Sequence, residues 1–114
     1  AAPGVYEMFG CTCIKGDDSV VYGMSTGCPI NTTGLVYCQK LSLDNTYRGA
    51  EGQTLSTIPG GALFYHEDDV WLKTTMTNVN KECVHAVRLC DGKTKRISGN
   101  TTVASVEDIN FKPI

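Results

Sequence analysis

The residues with the clearest chemical reach are the run His66-Glu67-Asp68-Asp69 and six cysteines, Cys11, Cys13, Cys28, Cys38, Cys83 and Cys90. An imidazole beside a carboxylate is the minimum for general acid–base work, so His66 and Glu67 define a hydrolase or ribonuclease reading. The same pair argues against itself if it lies within a strand, because adjacent strand residues point to opposite faces and would diverge. The acidic triplet lacks the alternating spacing of a calcium loop and reads as a solvated turn. His85 falls in a stretch of helical pattern, where it reads as a partly exposed polar residue. No G-x-S-x-G, H-E-x-x-H or phosphate-binding glycine loop occurs. On these residues no catalytic role is assigned, no metal or cofactor is called for, and the expectation is a non-enzyme.

The cysteines point to construction rather than catalysis. Zinc sites use C-x-x-C pairs, often with spaced histidines, whereas here the close pair is Cys11-Thr-Cys13 and both histidines are isolated. Disulfides are favoured, with fifteen pairings open for six cysteines. Asn31-Thr-Thr and Asn100-Thr-Thr are acceptor sequons for N-glycosylation. Ala1-Ala-Pro-Gly4 has the small-residue character left by signal-peptide removal, and no apolar run reaches transmembrane length. The expectation is a single secreted domain over residues 1–114, without a membrane span.

Charge narrows the partners. A formal net charge of −2 provides no global basic field, which disfavours nucleic acid and a membrane-active toxin. Locally, Lys73 to Arg96 holds six basic and two acidic residues, an excess of +4. Lys93, Lys95 and Arg96 are the candidate partner-binding residues. The Asn-, Gly-, Ser- and Thr-rich stretch 44–61 is a second candidate loop. Trp71, the single tryptophan, reads as a core anchor rather than a sugar-stacking surface.

The elements that must position these residues follow from pattern and punctuation. Residues 5–14 and 34–43 read as strands, and 17–27 as a short helix with acids at its start. Ala62–His66 and Val70–Thr77 read as a hairpin about the acidic triplet. Asn78–Gly92 reads as a helix, opened by asparagine and stopped by glycine, with Cys83 and Cys90 two turns apart on one face. Across two turns those thiols bond each other only with difficulty, so bridges to the N-terminal half are expected, with Cys11 and Cys13 the favoured partners. Residues 101–106 and 109–114 close the chain as strands. The order strand, helix, strand, hairpin, helix, strand is that of an α+β, ferredoxin-like βαββαβ two-layer sandwich stapled by disulfides. An all-β sandwich is the alternative and follows if both helices fail.

The cysteines, sequons and N-terminus together resemble those of small secreted effectors of plant-associated fungi. In element order the chain is similar to their killer-toxin-like group. The resemblance covers the format of the whole chain and carries over no functional residue. It implies a ferredoxin-like fold and a monomeric, non-enzymatic virulence or avirulence protein that binds a host or fungal protein.

Overall fold

The computed structural model describes residues 3–8, 10–30, 38–77 and 83–114. Their elements in chain order are β1 (Gly4–Met8), β2 (Cys11–Lys15), β3 (Val21–Gly23), β4 (Pro29–Ile30), β5 (Cys38–Arg48), β6 (Gln53–Thr54), β7 (Leu63–His66), β8 (Asp69–Thr77), β9 (Cys83–Arg88), β10 (Thr94–Ser98) and β11 (Thr102–Pro113). The one helical turn among the described residues is a 3-10 turn at Leu55–Thr57.

Among the described residues every strand pairing is antiparallel, and the strands form one path, β10-β9-β8-β7-β11-β5-β1-β2-β3-β4, with β6 beside β11. Strand β11 belongs to two layers. Its first residues pair with β6 and β7, and from Val106 it pairs with β5, with register shifts at Val106/Asp108 and Asn110/Phe111. Such shifts bend a strand and increase its twist, which lets one strand pass from layer to layer.

Alternation decides what each layer buries. The row Leu41–Val5–Ile14–Tyr22, read across β5, β1, β2 and β3, packs with Val70, Leu72, Val87 and Leu89 of the other layer. On β8 the next residue, Trp71, points the opposite way into a second core with Leu55, Ile58, Phe64, Val84, Ala86, Ile97 and Val103. The β7–β10 layer is thus covered on both faces, on one side by β1–β3 and β5 and on the other by the segment around the 3-10 turn. Lys73 fastens that segment, its ammonium donating to the carbonyls of Leu55 at 3.0 Å, Ser56 at 3.4 Å and Ile58. Two glycines set a close approach elsewhere. A Cβ on Gly61 (φ +90°) would stand 2.5 Å from the Ser25 carbonyl, and one on Gly27 (φ +69°) 2.6 Å from the Lys73 carbonyl.

The ferredoxin-like α+β expectation is overturned, and the all-β alternative is what the chain forms. Residues 17–27 contain β3 rather than a helix, because Val21 and Tyr22 are β-formers and Tyr22 pairs with Ile14 as a fully buried core residue. The expected helix 78–92 fails similarly: Cys83–Arg88 is a strand, whereas residues 78–82 lie outside the described residues. Gly92 (φ +73°) closes the turn from β9 to β10, with Arg88 N–H donating to the Lys93 carbonyl at 2.8 Å. A helix stop and a hairpin turn make the same demand for positive φ, so the glycine could not tell them apart. The stretch 44–61 is not one long loop either, since β5 continues to Arg48 and β6 and the 3-10 turn follow. The hairpin 62–77 and the Trp71 anchor stand as expected, with Trp71 only 1 % exposed.

The disulfide staples are corrected as well. Cys11, Cys13, Cys28, Cys83 and Cys90 carry free thiols. Cys83 begins β9 and Cys90 lies beyond its other end, so they do not share a helical face aimed at Cys11 and Cys13. The Cys38 side chain lies outside what the structure describes.

Candidate active site

The hairpin of β7 and β8 places His66 opposite Asp69 and leaves Glu67-Asp68 as a two-residue turn. Both turn residues have positive φ, 53° and 64°, the pattern of the type I′ turn that matches strand twist. Asn-Gly or Asp-Gly normally fills these positions, because a Cβ crowds the backbone there. This backbone corrects the expected divergence of His66 and Glu67. Glu67 has left the strand, and in the left-handed region its side chain swings back towards His66. His66 Nε2 and Glu67 Oε1 lie 3.3 Å apart.

A third group reaches the same carboxylate. Lys95 Nζ, extending from the outermost strand β10, donates to Glu67 Oε1 at 3.2 Å. The Lys95 ammonium first, and His66 after it, hold the Glu67 carboxyl below the usual carboxylate range, although Glu67 is solvent-exposed. Glu67 is therefore an ionised partner for an imidazole. His66 is more enclosed, its side chain 16 % exposed against 62 % for Glu67. Behind it, Trp71 Nε1–H donates to the His66 carbonyl at 3.0 Å, and the two rings meet edge to face at 6.3 Å.

His66 and Glu67 line a cleft of about 330 Å³ together with Arg48, Glu51, Tyr65, Asp68 and Thr102. Arg48, at the end of β5, stacks over the Tyr65 ring at 5.0 Å. Its guanidinium is held by Glu51 at 3.3 Å and faces Asp68 at 3.9 Å. The Tyr65 and Thr46 hydroxyls hydrogen-bond each other. The result is an oriented planar cation, an imidazole and an ionised carboxylate around one polar cleft. A carboxylate against one imidazole nitrogen fixes the ring's tautomer and orientation, leaving the other nitrogen to carry protons.

The other candidates fall elsewhere. His85 sits on β9, not on a helix, with Nδ1 2.8 Å from Thr74 Oγ1 and Nε2 3.9 Å from Asp18. It serves the junction between the layers, apart from the cleft. Lys93 and Arg96 are exposed on or beside β10. Asn100 is exposed in the turn between β10 and β11, whereas Asn31 lies outside the described residues. None of the five cysteines whose side chains are described lines the cleft, and burial followed by the proximity of Cys11 pushes the Cys13 thiol up. Among the described residues no three His, Cys, Asp or Glu side chains converge to hold a metal ion. No helix among them is long and apolar enough to cross a membrane.

Sequence reasoning missed Arg48 and Thr102, which carry no local signal and meet only through strand pairing, and it weighed Tyr65 only beside Trp71 as a sugar-stacking surface. It also missed the reach of Lys95 to Glu67. Comparison of the chain with protein-family models, curated proteins and solved structures returned no match.

Proposed function

We propose that the chain is a small hydrolase or ribonuclease whose proton carrier is His66. The observation that supports this most is the Glu67 carboxylate, 3.3 Å from His66 Nε2 and 3.2 Å from Lys95 Nζ, at the rim of a polar cleft. Glu67 orients the imidazole, and Lys95 further favours the ionised carboxylate. Arg48, stacked on Tyr65, offers a fixed fork to an oxyanion formed in the cleft. The turn supports the reading independently, because Glu67 occupies a conformation that glycine or asparagine would hold with less strain. The test is turnover of a panel of activated carboxylic esters, glycosides, phosphodiesters and RNA by the intact protein. Glu67→Gln should lower kcat by roughly 10²-fold, in the range of a lost acid–base contribution. A panel with no turnover, or turnover indifferent to Glu67→Gln, removes the proposal.

A second reading keeps the chain as a secreted effector that binds a host or fungal protein through β10. Lys93, Lys95 and Arg96 are all exposed at this outermost strand, and an edge strand can add a partner's strand. Both ends of the edge are already occupied: Thr94 N–H donates to Asp17 at 3.2 Å, and the Ser98 carbonyl accepts from Thr101 N–H at 3.0 Å. Its test is partner binding at two salt concentrations after Lys93, Lys95 and Arg96 are changed to alanine. Unchanged binding rules out the basic strand.

A further inference from the structure

We infer that the nucleophile activated in this cleft belongs to the substrate, and that the substrate is RNA attacked by its own 2′-hydroxyl; the inference rests on the acid–base reading of His66 and Glu67. Among the described residues the cleft lining holds no serine or cysteine. Its side-chain hydroxyls are those of Tyr65, already paired with Thr46, and Thr102. What it does supply is one imidazole backed by an ionised carboxylate and one guanidinium held in a plane by Tyr65, Glu51 and Asp68. Of the carboxylates, Glu51 and Asp68 are paired with Arg48 and Glu67 with Lys95 and His66, so such a set is disposed to move a proton and steady a phosphate rather than to attack through a side chain.

A substrate hydroxyl fixed beside the scissile bond completes the set. Intramolecular attack of this kind reaches effective molarities on the order of 10⁵–10⁸ M, so the protein need not position a water. His66 takes the proton of the 2′-hydroxyl, and O2′ forms a bond to the adjacent phosphorus. The P–O5′ bond breaks, and the imidazolium returns the proton to O5′. The products are a 2′,3′-cyclic phosphate and a free 5′-hydroxyl, with no change in oxidation state and no water consumed. Arg48 pairs with the non-bridging oxygens, whose planar spacing suits a guanidinium.

Charge sets the expected affinity. Glu51, Glu67 and Asp68 outnumber Arg48 and Lys95 at the cleft, so binding depends on local pairing rather than a positive field, and a high KM with a shallow salt dependence is expected.

The test uses the intact chain with four probes: a mixed-sequence oligoribonucleotide, the same sequence as oligodeoxyribonucleotide, bis(p-nitrophenyl) phosphate and p-nitrophenyl acetate. The expected result is cleavage of the ribonucleotide alone, with cyclic phosphate ends by mass spectrometry. Glu67→Gln and His66→Ala should each slow it about 10²-fold or more, and Arg48→Lys should raise KM. Glu67 lies in an exposed turn, so its variant reports on the reaction even if His66→Ala perturbs folding. Cleavage of the deoxy chain or the activated esters at a comparable rate, lost in Glu67→Gln, overturns the RNA inference and leaves the acid–base site standing. Turnover of no probe overturns the RNA inference, and RNA cleavage unaffected by Glu67→Gln overturns both.

Discussion

Thr74 Oγ1 and His85 Nδ1 lie 2.8 Å apart on neighbouring strands of one layer, and the other ring nitrogen of His85 faces Asp18 in the β2–β3 turn of the opposite layer. Tyr22 donates its hydroxyl to the same Asp18 at 3.0 Å, and Asp17 accepts from Thr94 Oγ1 at 2.6 Å. The layers are therefore joined at this end by polar contacts around a single imidazole.

Burial lowers the His85 pKa, and Arg96 adds to this, against the pull of Asp18 and Asp17. A histidine depressed in the folded state binds more protons when unfolded. Its contribution to stability is therefore present above the unfolded value of about 6.5 and is lost as pH falls through that value towards the folded one. Denaturant unfolding at pH 7.5 and pH 5.5 should show lower stability at the acid end, and His85→Gln should reduce the difference. An unaltered pH dependence in the variant would assign the effect to other groups.

Replacing Glu67-Asp68 by Asn-Gly should stabilise the fold by about 1 kcal/mol, since both positions hold positive φ and glycine or asparagine relieves that strain. The ion pairs lost are exposed and contribute little. The same change should abolish turnover at the cleft. Thermal unfolding and the RNA assay on one preparation check both halves.

Lys73→Met keeps the aliphatic stem and removes the ammonium from three backbone carbonyls. A loss of about 1–3 kcal/mol is expected from hydrogen bonds to a charged group. Urea unfolding measures it, and hydrogen exchange should show the segment around Leu55–Ile58 loosening before the strands.

Trp71→Phe preserves most of the buried ring but leaves the His66 carbonyl without its indole donor. A cost of about 1 kcal/mol in stability follows. If Trp71 positions His66, the variant should also shift the pH profile of turnover, which a packing defect alone would leave in place.

The sequence made the hairpin at 62–77 readable because alternating apolar residues flank a short polar break, and Trp71 readable because a lone tryptophan is a costly thing to leave wet. It misled at 83–92, where Val84 and Ala86 at strand spacing, with the β-branched Val87, were overruled by an asparagine and a glycine that suit either a helix or a hairpin. Cys83 and Cys90 reinforced that error, since seven residues look like two helical turns. The site was half visible. His66 and Glu67 are neighbours in the chain, but whether they converge depends on the sign of φ at residue 67, which their identities do not announce. Arg48 reaches them only because β5 and β7 both pair with β11, a relationship among segments far apart in the chain.

Strand β11 has a consequence for synthesis. Until residues 102–113 emerge, β7–β10 and the β1–β5 layer are two separate sheets, each with an open edge where β11 will lie. A chain made from its N-terminus must carry β1 and β5 through the synthesis of β7–β10 before the strand that joins the two sheets arrives. Long-range pairing of this kind is slow, and unpaired edges invite association with other chains. The nascent chain is thus most exposed to aggregation just before β11 is added, and a helper that covers strand edges would matter most then.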